Sequence, residues 1–202
     1  MGVGMEDLVK EKEIELVETD VSFGPRTMLI CDAHDIPFKG ETFDGAIAQA
    51  VLEHVADPYR CVEEIFRVLR PNGTIYAETP FMQQVHGKCF DFTRFTDRGH
   101  RRLFRRFKEV RSGICGGPGT ALAWSCQYFL LSFTTNRVAR AFVRIGVRLS
   151  LFWLKYFDYI LQNKRGALDA ASGFFFLGQK SESVITDREV CEQYRGANSV
   201  DL

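Results

Sequence analysis

The stretch IELVETD, residues 14–20, ends on Asp20, and TMLICDAHDIPF, residues 27–38, carries Asp32 directly after an apolar run. If both runs are strands of an open α/β sheet, the two carboxylates lie beyond the carboxyl ends, where such sheets bind ligands. Asp20 would then accept hydrogen bonds from the two hydroxyls of a ribose, and Asp32 would meet the amino group of an adenine. Taken singly, each acid reads as well as a solvated loop acid or a helix cap. Further along, PFMQQVHGKCFDFTRFT, residues 80–96, sets His86, Asp91 and Arg94 beside Phe90, Phe92 and Phe95. That mixture suits a pocket lid that orients a hydroxyl, amine or carboxylate. Equally, Asp91 and Arg94 could pair with each other and simply hold the loop.

These residues need a frame, and residues 43–80 supply one. Phe43, Gly45, Ala46, Ile47 and Ala48 surround the single acid Asp44, the pattern of a parallel strand covered on both faces. Asp57 before Pro58 opens a helix with an acidic N-cap and a first-turn proline. Tyr59, Val62, Ile65, Phe66 and Leu69 recur at helical spacing, with Glu63, Glu64, Arg67 and Arg70 on the other face. Pro71-Asn72-Gly73 predicts a tight turn, and residues 74–79 a further strand. Upstream, residues 7–12 read as the end of a helix, and 14–19 and 27–31 as strands. The candidate site therefore lies around Gln49 to His54 and from Thr79 onward.

Composition sets outer limits. A chain of 202 residues, 46% hydrophobic and with 18 phenylalanines, can bury a real core in one domain. Its formal net charge of zero gives no support for a nucleic-acid partner. The six cysteines are scattered without a CxxC pair, so they read as reduced core thiols of a cytoplasmic protein, and no metal site is expected. The N-terminus lacks a secretory signal, and Glu6 stands where a myristoylation motif needs Ser or Thr.

Four segments, ETD at 18–20, CDAHDIPF at 31–38, FDGAIAQAVLEHVADP at 43–58 and EIFRVLRPNGTIYAETP at 64–80, together resemble the class I S-adenosylmethionine-dependent methyltransferases. The likeness is close over residues 1–112 and looser beyond. It implies an α/β, doubly wound, mostly parallel sheet, with Asp20 on the ribose of S-adenosylmethionine, Asp32 and Ala33 at its adenine, and Gln49 at its methionine part. His54 and the segment after Thr79 would face a small-molecule acceptor, with His86 the first candidate for a general base, His54 the second, and Asp91 and Arg94 orienting the acceptor. One departure stands out. The family begins its sheet with an apolar strand and a glycine-rich loop, whereas here Gly2-Val3-Gly4 alone would represent that loop. Gly2 and Gly4 are thus the expected remnant of the cofactor cradle, and the central strand between the second and fourth is expected to be missing. The alternative is a truncated or inactive methyltransferase-like chain that acts, if at all, through binding.

The second half is less regular. Residues 98–110 place Arg98, Arg101, Arg102, Arg105 and Arg106 close together, read as a solvated basic helix face. Residues 108–119 read as a strand running into a glycine-rich loop, residues 120–162 as an apolar helical insertion or cap, and SGFFFLGQK as a last buried strand. In the segment 137–161, Arg137, Arg140, Arg144, Arg148 and Lys155 recur among large apolar residues. This suits either a peripheral membrane contact or a substrate-side cap or oligomer contact. The domain is expected to span 1–180, followed by a polar, disordered tail, 181–202.

Overall fold

The computed structural model describes residues 14–197 and Ser199. Gly2 and Gly4, and the helix end expected at 7–12, lie outside them. The main sheet runs in the order β3 (Phe43–Gln49), β4 (Leu69–Pro80), β6 (Gly173–Lys180), β5 (Phe107–Gly116). β3 and β4 are parallel, and β6 is antiparallel to both of its neighbours. It follows that β3, β4 and β5 share one direction and β6 alone is reversed. The remaining strands, β1 (Thr19–Asp20) and β2 (Leu29–Ile30), form a separate parallel pair.

Among the described residues no strand lies between β1 and β3, and the pairing that is seen corrects two readings. The strands expected over 14–19 and 27–31 shrink to two residues each, because each pairs only with the other and both are largely exposed. For the same reason β3 is not covered on both faces: among the described residues it pairs with β4 alone, and Gly45 and Ile47 are exposed.

The helix α1 (Pro58–Val68) follows β3 as its sequence demands, with the Asp57 carboxylate accepting the Arg60 N–H. It buries Cys61, Val62, Ile65 and Phe66 against Leu69, Ile75 and Ala77. β4 then begins at once. Pro71-Asn72-Gly73 is not a free turn but an irregularity inside β4, where the register jumps from Phe43↔Leu69 to Gly45↔Thr74. Asn72 takes the left-handed φ of 62° that such a bulge needs.

After β4, α2 (Asp97–Leu103) closes one side of the core, where Phe104 stacks on Phe176 with centroids 4.8 Å apart. Each such buried phenylalanine contributes about 1.5–3 kcal/mol by leaving water. The arginines of 98–106 do not form a solvated face. Arg101 is buried and donates to the Phe104 and Phe107 carbonyls, while Arg106 bonds Glu63 and lies 3.6 Å over the Phe66 ring. Arg98 bonds Asp97 and the Val190 carbonyl, and Arg102 pairs with Asp187. The last two contacts involve α7 (Asp187–Glu192), so within the segment 181–202, expected to be a disordered tail, these six residues are helical. A capping box between Thr186 and Glu189 starts it, and Val190 anchors it in the core. Of the six free cysteines, only Cys61 is fully buried, which pushes its thiol up to about 12.

His100 is the one titratable group in this aromatic core with a folding consequence of its own. It is 3% exposed, sits edge-on to Phe104 at 5.0 Å, and its Nε2 has no partner. Burial pushes it down to about 3. A base whose folded pKa lies below its unfolded value adds stability above the unfolded pKa, near 6.5, and loses it as the pH falls toward the folded one. Between pH 6.5 and 5 the chain should lose about 2 kcal/mol through this residue. Urea midpoints of the wild type should therefore fall relative to those of His100→Leu between pH 7 and pH 5. Parallel acid loss in both proteins would exclude His100 as the cause.

The helical segment between β5 and β6 comprises α3 (Pro118–Leu131), α4 (Arg137–Leu151), a 3-10 turn at Phe152–Tyr156, α5 (Phe157–Leu161) and α6 (Arg165–Asp169). The helical content agrees with the reading of 120–162. Asp158 fastens it, its carboxylate accepting the Gly119 N–H at 2.7 Å, the Thr120 N–H at 3.0 Å and the Thr120 hydroxyl at 2.6 Å.

Candidate active site at the strand ends

The chain leaves β3 through a strained corner. Ala50, directly after Gln49, takes φ 53°, a left-handed conformation that a residue with a Cβ adopts at a cost of about 1–3 kcal/mol. Its N–H still reaches the Glu78 carbonyl at 3.2 Å, so the corner is tied to β4. Gln49 is tied the same way, donating from Nε2 to Glu78 at 2.8 Å. The bend turns Leu52 and Glu53 inward and brings His54 to the surface.

Glu53 was not singled out as a site residue in the sequence. It is 1% exposed, and its Oε2 has no partner among the described residues. Its backbone carbonyl receives the Phe92 N–H at 2.8 Å, which fixes it against the loop after β4. Burial pushes the Glu53 carboxyl above its usual range. Two imidazoles face the other oxygen: Oε1 lies 3.7 Å from His54 Nε2 and 3.6 Å from His86 Nε2. The rings meet edge to face at 4.9 Å. His54 Nδ1 lies 2.8 Å from the Phe90 carbonyl, which only accepts, so Nδ1 carries the hydrogen and Nε2 is left to share a proton with Glu53. One donor atom from each of Glu53, His54 and His86 lies within 4.8 Å of the others, close enough to share a proton or to hold a cation.

The loop is held by the pair expected at 91 and 94. The Asp91 side chain is 1% exposed and bonds both terminal nitrogens of Arg94, one of them at 2.7 Å. It also accepts the His86 N–H at 2.7 Å. Arg94 donates further to the Gln83 carbonyl at 3.0 Å and the Thr93 carbonyl at 2.9 Å. Asp91 and Arg94 therefore position His86. Gly87 allows the histidines to meet, since a Cβ there would lie 2.5 Å from the His54 ring.

Both strand-end acids sit where the sequence placed them. Asp20 is exposed at the end of β1, and its Oδ1 accepts the Ser22 N–H at 2.8 Å and hydroxyl at 2.9 Å. Asp32 follows β2, its Oδ1 accepting the His34 N–H at 2.9 Å and facing His34 Nδ1 at 2.5 Å. These bonds to His34, backbone first, hold the Asp32 carboxyl below its usual range. His34 Nε2 in turn accepts the Asp57 N–H at 3.0 Å, which ties the loop to the start of α1. Ala33 packs against the core. In both acids Oδ2 has no partner among the described residues, so each carboxylate is steadied by its own turn with one oxygen left for a ligand. This much fits a ribose and an adenine amino group. A wide concavity of about 810 Å³ lies instead at β5, the opposite edge of the sheet from β3. Depth of surface and chemistry do not coincide here.

Comparison with known proteins places this arrangement. Residues 7–77 match the family model described as a methyltransferase domain. That stretch resembles a methyltransferase domain. The methyltransferase match ends before the loop that carries His86, Asp91 and Arg94. An uncharacterised 37.1 kDa protein in transposon TN4556 of Streptomyces fradiae is 33% identical over 95 residues, 46% of this chain and 26% of that protein. The chloroplastic 2-methyl-6-phytyl-1,4-hydroquinone methyltransferase 2 of Oryza sativa subsp. japonica is 40% identical over 47 residues, 23% of this chain and 14% of that enzyme. The chain thus spans about a quarter or less of the length of these curated relatives. Solved structures extend the likeness in fold. An S-adenosylmethionine-dependent methyltransferase from Archaeoglobus fulgidus aligns with TM-score 0.51 and 14% identity, over 87% of this chain and 80% of that one. A putative sarcosine dimethylglycine methyltransferase from Galdieria sulphuraria aligns with TM-score 0.50 and 15% identity, over 78% and 60%. Among the described residues no helix is long and apolar enough to cross a membrane.

Proposed function

We propose that this methyltransferase domain transfers a methyl group from S-adenosylmethionine to a small organic acceptor at the carboxyl ends of β3 and β4. The observation that carries the reading is the buried Glu53 carboxylate facing two imidazole Nε2 atoms beside those strand ends. When bound, S-adenosylmethionine supplies an electrophilic sulfonium methyl group. Asp20 would bind its ribose through Oδ2, Asp32 and Ala33 would meet its adenine, and Gln49 its methionine part. Gln49 has a competing bond to Glu78, which a ligand must share or displace.

The acceptor belongs on the His86 side. His86 Nε2 would take up the proton that the acceptor gives up, and Glu53 would stabilise the imidazolium that results. His54 lies against the same carboxylate oxygen and can take that proton in turn. Alignment of acceptor and methyl donor supplies much of the acceleration. Asp91 and Arg94 contribute by holding the His86 backbone, and an acceptor carboxylate could also be drawn toward Arg94.

Binding of the cofactor product is the direct test. Asp20→Ala should weaken S-adenosylhomocysteine by about 1.5–3 kcal/mol for each strong bond to the carboxylate that is lost. The residue is exposed, so melting of the variant should stay close to wild type. Calorimetric titration of both proteins reads the difference. Equal affinities would remove Asp20 from the site.

A further inference from the structure

The helices between β5 and β6 present an apolar surface that methyl transfer does not use. In α4 the inward side is Ala139, Val143, Val147 and Leu151, all partly or fully buried. On the opposite side Val138, Phe142, Ile145 and Leu149 are 65%, 70%, 56% and 72% exposed. Their spacing of four, three and four residues places them in one stripe along the helix. An amphipathic helix normally turns such a stripe inward. Here it faces outward, and the large apolar residues that follow, Phe152, Trp153, Tyr156, Phe157, Tyr159 and Ile160, are exposed as well.

Charge runs beside the stripe. At 100° per residue Arg137, Arg144 and Arg148 form a second row along one flank of the apolar one. All three are exposed, and none has an acidic partner among the described residues. Arg140 lies apart, bonded to the Leu131 and Thr134 carbonyls at 2.9 and 3.0 Å. Within residues 118–161 the only acid is Asp158, already spent on the N-terminus of α3. The surface is therefore apolar and cationic, without compensating anions.

We propose that this face lies on an anionic lipid bilayer, with the Val138–Phe142–Ile145–Leu149 stripe in the interface and the arginine row among the headgroups. This stands independently of the methyl-transfer reading. A helix with an apolar face, a basic flank and exposed aromatic side chains binds in the plane of an interface. Each arginine near an anionic surface adds about 1 kcal/mol. A second copy of the chain is a poorer occupant, since pairing two such faces would bring like-charged rows together.

Sedimentation with vesicles, using the full chain, tests this. Wild type should pellet with phosphatidylcholine vesicles that contain phosphatidylglycerol, stay in solution with phosphatidylcholine alone, and be released by salt. Phe142→Ser with Leu149→Ser should abolish pelleting, and changing Arg137, Arg144 and Arg148 to Gln should lower the partition coefficient on the order of 100-fold. All five positions are exposed, and circular dichroism should show both variants folded like wild type. Pelleting by wild type and both variants alike would overturn the proposal. So would absence of pelleting with concentration-dependent dimers in size-exclusion chromatography that Phe142→Ser with Leu149→Ser removes, an outcome that would assign the face to a second copy.

Discussion

Replacing His86 with alanine will lower kcat/KM for a hydroxyl acceptor by about 10²–10⁴-fold while leaving S-adenosylhomocysteine affinity unchanged, because a positioned base contributes about that much. The split between the two readouts is the point of the experiment. His86 has its backbone fixed by Asp91 and its Nε2 set 3.6 Å from a buried carboxylate, on the side of the strand ends proposed to receive the acceptor. None of this touches the acids expected to hold the cofactor. Glu53→Gln should give a smaller loss, since the amide cannot stabilise an imidazolium by charge. Formation of S-adenosylhomocysteine with a panel of small phenols, amines and carboxylates provides the assay. Undiminished turnover by His86→Ala on every substrate of the wild type would dismiss His86 as the base. Loss of wild-type activity to a chelator, with recovery on adding a divalent ion, would instead make Glu53, His54 and His86 a metal-holding set.

Arg94→Met should destabilise the fold by about 3–5 kcal/mol, the usual consequence of stripping one partner from a buried ion pair. The Asp91 carboxylate keeps the His86 N–H, but the guanidinium that neutralises it is gone, together with bonds to the Gln83 and Thr93 carbonyls. Arg94 first, then the His86 and Gly87 N–H groups, hold the Asp91 carboxyl far below the usual carboxylate range. For an acid with a depressed folded pKa, the stabilisation is present above the unfolded value, near 3.9, and is lost as pH falls through the folded one. The gap between wild type and Arg94→Met should accordingly be full at pH 7 and narrow below about pH 4. Adding Asp91→Asn to Arg94→Met should recover part of the loss, and the double-mutant cycle isolates the pair. Denaturant midpoints that agree within about 0.5 kcal/mol would mean that the pair does not hold the loop.

The frame around the site was legible because its signals are local. Asp57 and Pro58 start α1 where the dipeptide says, and the apolar run in SGFFFLGQK becomes β6. The Asp91–Arg94 pair was legible too, since its members are one helical turn apart in sequence. Readings failed where a neighbour decides the outcome. Ile14 to Glu18 have the composition of a strand, but pairing extends only to Thr19 and Asp20. The arginines at 98–106 look solvated until α7, far along the chain, supplies Asp187 and the Val190 carbonyl. Glu53 was missed for the same reason. The hint was a charged residue between the apolar Leu52 and a histidine, and its meaning depends on His86 arriving from another loop.

Two hydrogen bonds join the helical cap to the loop that carries His86: Gln84 donates to the Ser125 hydroxyl at 3.1 Å, and the Tyr128 hydroxyl donates to the Val85 carbonyl at 3.4 Å. Thermodynamically they make the cap and the loop linked sites. If the cap lies on the proposed bilayer, a ligand that orders the loop, and through these bonds the cap, would raise the affinity of the cap for it, and occupation of the bilayer would raise affinity at the loop by the same factor. The reciprocity gives a quantity that can be measured from either end.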